Sequence, residues 1–524
     1  MATSPDAGLA VEAVVPRVTL RSWFAHPFDS AIAAARTCYA PRLIRPEEIT
    51  DRQRRTVSAA TFFSGHHTVY QHAYFEFGLE DVSRQFVWSF LHAHPFYNSE
   101  QQSQRFVRLD RPRVYVPAPE GRCRFGPAER ALYEAAVLQA WEAYRRLAEL
   151  LRPLAREILA DIWHADALAH PRRIEKVERL AEKRALEVAR YVLPVCAATT
   201  LVHTVSGIVL HRLWRMVGAC DTPTEARQVV GEMVARVREV DPEFFDRFGT
   251  QPREQFPEWA WGQVGSAAEA FAGEFDRWLG GRRSRLVQAP EGLVGTLGQA
   301  FRTVLGLPAA ACSDAEAIER LLDPRRNPYR LEVLNVGVHA PAMRALDQVH
   351  LTFAKRLSHT ADSQNQRHRM VPGARPLLTL ADTRQPDYIV PALVAQSPQA
   401  HELFVRTMER LWAAKNELLD RGVAPEVALY LLPNAKVIRL VESASLLHLL
   451  HKWTMRTCFN AQEEIYEASM EELEQVRERF PEIARYVGPP CYLRAGVATP
   501  ICTEGSHFCG VRVWESFPQV RRRL

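Results

Sequence analysis

Apolar side chains recur at three- and four-residue steps through 128–151, 171–191, 222–240, 399–421 and 470–487, the spacing that turns one face of an α-helix toward a core. Strict alternation is rarer. Ala73-Tyr74-Phe75-Glu76-Phe77 and Val349-His350-Leu351-Thr352-Phe353 predict strands with one buried face. The fold class is therefore α+β and helix-rich. The longest apolar stretch, 192–210, contains Pro194, His203 and several Ser and Thr without flanking anchors. It reads as a buried helix rather than a membrane span.

The pattern repeats. Glu187-Val188-Ala189-Arg190-Tyr191-Val192-Leu193-Pro194 returns as Glu426-Val427-Ala428-Leu429-Tyr430-Leu431-Leu432-Pro433, an offset of 426 − 187 = 239 residues. The strand ending at Phe77 returns at Phe353, an offset of 276, so the first copy holds a longer insertion, placed around 108–180. These landmarks divide the chain into a first copy at 17–248, a linker with helices at 249–327, a second copy at 328–487 and a Cys/His-containing tail at 488–524. Pro257-Glu258-Trp259-Ala260-Trp261-Gly262 opens the linker, and a Trp-rich stretch favours packing on the domains over solvation.

Length agrees, since 524 residues exceed what one ordinary core organises. A net charge of +5 is small for that length and argues against nucleic-acid binding. Arg521-Arg522-Arg523 reads as a solvated tail. Nine cysteines without an export signal at 1–16 point to reduced thiols and a cytoplasmic protein.

The polar clusters carry the chemistry. Ser64-Gly65-His66-His67-Thr68 precedes the first strand, Val82-Ser83-Arg84 follows it, and Glu100-Gln101-Gln102-Ser103-Gln104-Arg105-Phe106 lies beyond. The second copy holds Gln364-Asn365-Gln366-Arg367-His368-Arg369, and later Met455-Arg456 with Ala461-Gln462-Glu463-Glu464-Ile465. Together these resemble the flavin-dependent thymidylate synthases, with their Gly-His pair, "VSR" helix, RHR triplet, "QQSQRY" segment, "EVARxxLP" helix and "AQWEI" helix. The resemblance covers most of both copies and implies two thymidylate-synthase-complementing-like domains forming a pseudo-dimer. A homodimer of that pseudo-dimer would imitate the family's tetramer.

Each copy departs from the pattern differently. His92-Ala93-His94 stands at the RHR position of the first copy. In the second, Leu377 stands at the serine position, and the arginine that follows it in the family is absent. Arg190 is matched by Leu429, and Arg456 by Val217. The resemblance implies FAD-dependent reductive methylation of dUMP to dTMP, with methylenetetrahydrofolate and NADPH as co-substrates. Gln102, Ser103, Arg105 and Arg190 would hold the dUMP-like nucleotide, since an Arg fork beside a hydroxyl suits a phosphate. Arg367, His368, Arg369, His66 and Thr68 would hold FAD. Gln364 and Arg456 would serve catalysis. Two junctions are expected, Ser103 and Arg105 with Arg456, and Arg367-His368-Arg369 with Arg190, neither holding the complete set. Against these roles stand plainer ones: Ser103 as a turn cap, and the basic triplet as a solvated helix face. The alternative for the whole chain is a catalytically impaired descendant that binds nucleotide or flavin or acts as a scaffold.

In the tail, Cys491, Cys502, His507 and Cys509 are of the right types for a closed tetrahedral zinc site, with Cys458 as a spare ligand. Ordinary buried thiols are the other reading.

Overall fold

The computed structural model describes residues 9–105, 107–117, 125–165, 170–262 and 267–524. Residues 1–8 and Phe106, which closes the QQSQRF segment, lie outside them.

Two four-stranded antiparallel sheets carry the fold. The first contains β1 (Arg17–Trp23), β2 (Tyr74–Ser83), β3 (Tyr97–Gln101) and β4 (Ala198–Ser206), in the order β1-β2-β4-β3. The second contains β5 (Ser284–Gln288), β6 (His350–Ser358), β7 (Gly373–Ala374) and β8 (Val437–Ser445), in the order β5-β6-β8-β7. The order is the same, so the duplication is one of architecture. The segment read as a linker packs its helices on the rest. It also supplies β5 and the helices Leu293–Leu305 and Asp314–Leu322, which line the second core.

A bulge in β2 shifts the offset of the repeat by one residue, from 276 to 275. Phe77 and Leu79 face His203 and Leu201, and Phe353 and Lys355 face Glu442 and Leu440. The register then slips between Leu79 and Val82, where Asp81 adopts a φ of 59°. Beyond this extra residue Ser83 matches Ser358, 275 positions on. Both serines cap a helix. Ser83 Oγ accepts from Phe86 N at 2.9 Å to start α1 (Arg84–His92), and Ser358 Oγ accepts from Ala361 N at 3.1 Å to start α2 (His359–Asn365).

The stretch 192–210 is not one helix. Its Thr- and Val-rich centre is β4, paired on both sides, and a helix begins only at Gly207. Its β-branched residues prefer the pleated surface, and alternate ones are buried against β2 and β3. No described helix is long and apolar enough to cross a membrane.

A third core joins the copies. It takes residues from α3 (Pro127–Ile162) and α4 (Pro171–Ala189) of the first and from α5 (Pro398–Asp420) of the second, with both Leu-Pro segments. Their backbones bond reciprocally. Val195 N donates to Leu432 O at 2.8 Å and Asn434 N to Leu193 O at 2.9 Å; Cys196 N donates to Tyr430 O at 3.1 Å and Ala435 N to Tyr191 O at 2.9 Å. Each bond maps onto its mate at the 239-residue offset, so the halves are related by a local two-fold. The expected insertion is helical. α3 spans 36 residues against 23 in α5, and α4 spans 19 where the second copy has four, Pro425–Ala428.

Candidate functional site

The two-fold creates two clefts where the halves meet, and they are unlike. One is lined from the first copy by Arg84, Gln102, Ser103, Arg105 and Arg190, and from the second by Thr360, Gln364, Arg367 and Arg369. Its volume is about 150 Å³. Arg456 sits beside it. Its Nε donates to His368 Nε2 at 2.9 Å and its Nη2 to Gln364 O at 3.3 Å. Burial, with Arg105 and Arg367 nearby, lowers its pKa to about 10. The two junctions expected from the sequence are thus one cleft. Because the copies cross, α2 of the second copy lies against the Gln102–Arg105 loop and Arg190 of the first, so what each retains is pooled.

Arg105 is fixed from both copies. Its Nε pairs with Glu187 at 2.7 Å, and its Nη2 donates to Asn460 O at 3.1 Å. Glu187 also pairs with Arg184 at 2.8 Å. Burial pushes the Glu187 carboxyl up, but Arg105, Arg184 and Arg190 bring it down to about 2. Ser103 Oγ accepts from Arg105 N at 3.2 Å, so it caps its own turn as well as lining the cleft. Arg84 is lowered to about 9 by burial and by Arg190. Arg367 pairs with Glu100 at 3.0 Å, and Arg369 donates to Asn98 at 3.0 Å. Asn365, which precedes the triplet, donates to the buried Glu442 of β8 at 2.8 Å and so fixes the end of α2.

The polar satisfaction of this cleft is incomplete. Among the described residues, Arg84 Nε, Ser99 Oγ, Gln104 Nε2, Thr360 Oγ1, Gln364 Oε1 and Gln366 Oε1 are buried without a protein hydrogen-bond partner. All six residues line the cleft. Buried polar atoms are ordinarily paired, so such a cluster marks a place where a polar ligand completes the bonding.

The mate cleft is closed. Asp362, wholly buried, accepts from Trp88 Nε1 at 2.9 Å and from Arg375 at 2.7 and 2.9 Å. Trp88 stands where the open cleft has Ser363, and Thr379, at the position of Arg105, donates through N and Oγ1 to Asp221 at 3.2 and 3.3 Å. His92 and His94 stand at the triplet's position in the first copy. Burial, followed by Arg375, lowers His92 to about 3, and burial, followed by Arg212, lowers His94 to about 4. Both are neutral at pH 7, and the positive triplet has no counterpart there.

The chain matches the family model described as "Thymidylate synthase complementing protein" twice, over residues 19–243 and 298–482. The chain belongs to this family. Similar proteins include a flavin-dependent thymidylate synthase of Clostridium tetani, 24% identical over 44% of this chain and 86% of that protein. Another, of Nitratidesulfovibrio vulgaris, is 28% identical over 45% of this chain and 88% of that one. A solved UMP/dUMP methylase, PolB from Streptomyces cacaoi with 5-Br dUMP bound, is similar at 16% identity and a TM-score of 0.33, covering 46% of this chain and 98% of its own.

Among the family-type positions, Gln102, Ser103, Arg105, Arg190, Gln364, Arg367 and Arg369 line the cleft, with Arg456 beside it and His368 held by Arg456. His66 and Thr68 do not line the cleft; their turn, 67–72, packs on the helices Pro27–Thr37 and Gly207–Met216. The zinc reading is also corrected. Among the described residues no three His, Cys, Asp or Glu stand together as metal ligands. Cys491 and Cys509 pack against the second core, and burial with neighbouring thiols pushes Cys491 up to about 12. His507 faces a separate cavity. In the C-terminal arginine run Arg521 and Arg523 are exposed, Arg523 pairing with Asp161 at the surface, but Arg522 is drawn in and donates to Ala461 O at 2.8 Å.

Sequence reading missed Glu187, Glu100, Arg84, Thr360 and Asn460. Glu187 lies in the repeated octapeptide and is buried, but its copy Glu426 is only half-buried and accepts from Thr224, so repetition alone did not reveal its role.

Proposed function

We propose that the open cleft binds a pyrimidine nucleoside monophosphate and that the chain carries out FAD-dependent reductive methylation of dUMP to dTMP. Methylenetetrahydrofolate would give the carbon and NADPH the electrons, and the two copies would act as a pseudo-dimer with one working site. The convergence of Arg105, Arg190, Arg367 and Arg456 from both copies on a cleft with unsatisfied polar atoms is what supports this reading.

Ser103 and Arg105 would take the phosphate, with Arg190 and Arg456 adding charge-assisted donors. Gln364 and Gln366 present carbonyl oxygens suited to the N–H edge of a pyrimidine. The donor set also fits a flavin. Arg367 and Arg369 at the rim would favour its pyrophosphate and reduced ring, and His368, neutral and accepting from Arg456, keeps that arginine aimed inward. FAD would supply the reducing chemistry, while the protein binds, orients and excludes water.

The second reading, a binding relic, is favoured by two contacts alone: Glu187 on Arg105 and Glu100 on Arg367 already answer charges that an anion would need. Absorption spectra of the protein with added FAD, titrated anaerobically with dUMP, separate the two. A bound flavin spectrum that responds to dUMP, followed by dTMP formation, is the expected result. Binding of dUMP without flavin leaves the relic, and absence of both defeats each reading.

A further inference from the structure

A second cavity lies where the family-matched helices α3 and α4 meet the C-terminal segment. It has a volume of about 1520 Å³ between the ends of α3 and α4 and the C-terminal segment; its α3 and α4 walls lie within the family-matched residues 19–243, and its tail wall, at 504–524, lies beyond 298–482. α4 turns Lys176, Arg179, Lys183 and Arg184 onto it at three- and four-residue spacing, and Arg521 and Arg523 face them from the tail. The nearby acids are largely engaged: Asp161 by Arg523, Glu504 by Asn460 at 3.1 Å, and Glu187 by Arg105 and Arg184. The remaining charge is strongly positive. Burial and then Arg179 lower Lys176; burial and then Arg105 and Arg184 lower Lys183. Like charges are being held together at a cost that a bound anion would relieve.

The cavity also has an aromatic wall. Lys176 Nζ lies 3.7 Å from the centre of the Trp163 ring, and Trp163 meets Phe508 edge-on at 6.0 Å. Trp163 Nε1 is buried without a protein partner among the described residues. Arg105 lines both this cavity and the cleft, so the two spaces meet at the residue assigned to the nucleotide.

We propose that this cavity binds the polyanionic tail of a co-substrate, through its carboxylates or phosphates, whose reactive end reaches the cleft past Arg105. The inference rests on the reading of the cleft as a nucleotide site only for that direction of approach. A compact anion would leave most of the volume empty. A chain of carboxylates or a dinucleotide phosphate would span the cations of α4 and the tail.

Calorimetry on the full chain tests it with five probes: folate bearing one or five glutamates, NADPH, NADH, and inorganic tripolyphosphate. The expected result is about tenfold tighter binding of the pentaglutamate over the monoglutamate, or of NADPH over NADH. The preference identifies carboxylate or phosphate as the source. It should vanish in Arg179→Glu/Arg521→Glu while dUMP affinity stays unchanged. If charge reversal prevents folding, Arg179→Gln/Arg521→Gln should reduce the preference in the same direction. Equal affinities within each pair, or a preference that survives in both variants, overturns the proposal. Tripolyphosphate reads the cavity without the cleft: its binding, lost in the variants, upholds the cavity even where dUMP fails to bind and the nucleotide reading falls.

Discussion

The Tyr430 hydroxyl donates to the buried Glu225 carboxylate of the other copy, and the same Glu225 accepts from Ser83 N and Oγ at 2.7 and 2.6 Å. The two-fold repeats the arrangement. Tyr191 donates to Glu464 at 2.9 Å, and Glu464 accepts from Ser358 Oγ at 2.7 Å. Each helix-capping serine is thus tied through a glutamate of its own copy to a tyrosine of the other. Tyr430→Phe and Tyr191→Phe remove one charge-assisted bond each from a site that water does not reach. Each should lower stability by about 1.5–3 kcal/mol, measured by urea unfolding. A loss in only one variant would mean that the two ties are not equivalent.

Glu225 also gives a pH dependence. Burial raises its carboxyl to about 7, with the Ser83 and Tyr430 bonds working against that rise. The folded-state value therefore lies above the ordinary 4.5. The protonated group favours folding: its contribution is complete below pH 4.5 and is lost as pH rises through about 7. On the order of 3 kcal/mol is at stake. Glu225→Gln should flatten the stability profile between these limits while leaving acid stability nearly intact. An unchanged slope would assign the dependence elsewhere, Asp221 first, since burial raises it to about 7 as well.

The closed cleft offers the opposite sign. Burial raises the Asp362 carboxyl, but Arg375 and the Trp88 bond hold it far below its ordinary range. Its contribution is present above pH 3.8 and is lost only as pH falls through the depressed folded value. Arg375→Ala strands the carboxylate in the interior and should destabilise the protein by about 3–5 kcal/mol at pH 7. Asp362→Asn combined with Arg375→Leu should recover most of that loss in urea unfolding. If Arg375→Ala unfolds at the wild-type midpoint, the pair does not hold the closed cleft together.

Much of this was legible from spacing. The long helices were, because 3.6-residue periodicity persists through α3, α4 and α5, as was the class of fold. β4 and β8 were not: β8 is a central strand with side chains buried toward both faces, and β4, though its burial alternates, sits inside the apolar run 192–210 that resembles a buried helix. The convergence of Arg105 with Arg367 could not be read either. Sequence shows which groups each copy retains, but only the crossed backbone pairing around Pro194 and Pro433 decides that they share one cleft. The four tail ligands failed for a related reason. Spacing within 491–509 allowed a metal site, but the apolar second core claims two of the thiols and His507 faces the basic cavity.

The asymmetry of the two clefts yields the most discriminating test of the site. At two of its positions the open cleft has Arg190 and Arg456, where the closed one has Leu429 and Val217. Arg190→Leu and Arg456→Val therefore copy residues the same fold already accommodates, which limits the structural damage each can cause. Each removes a charged donor from a site that should hold a phosphate, so dUMP affinity should fall about 10- to 100-fold by calorimetry. Leu429→Arg, placed opposite, should leave dUMP binding as it is, because Trp88 and the Asp362–Arg375 pair already fill that cleft. Equal losses from Leu429→Arg and Arg190→Leu would mean that both clefts bind. Undiminished binding in Arg190→Leu and Arg456→Val together would place the nucleotide outside the cleft altogether.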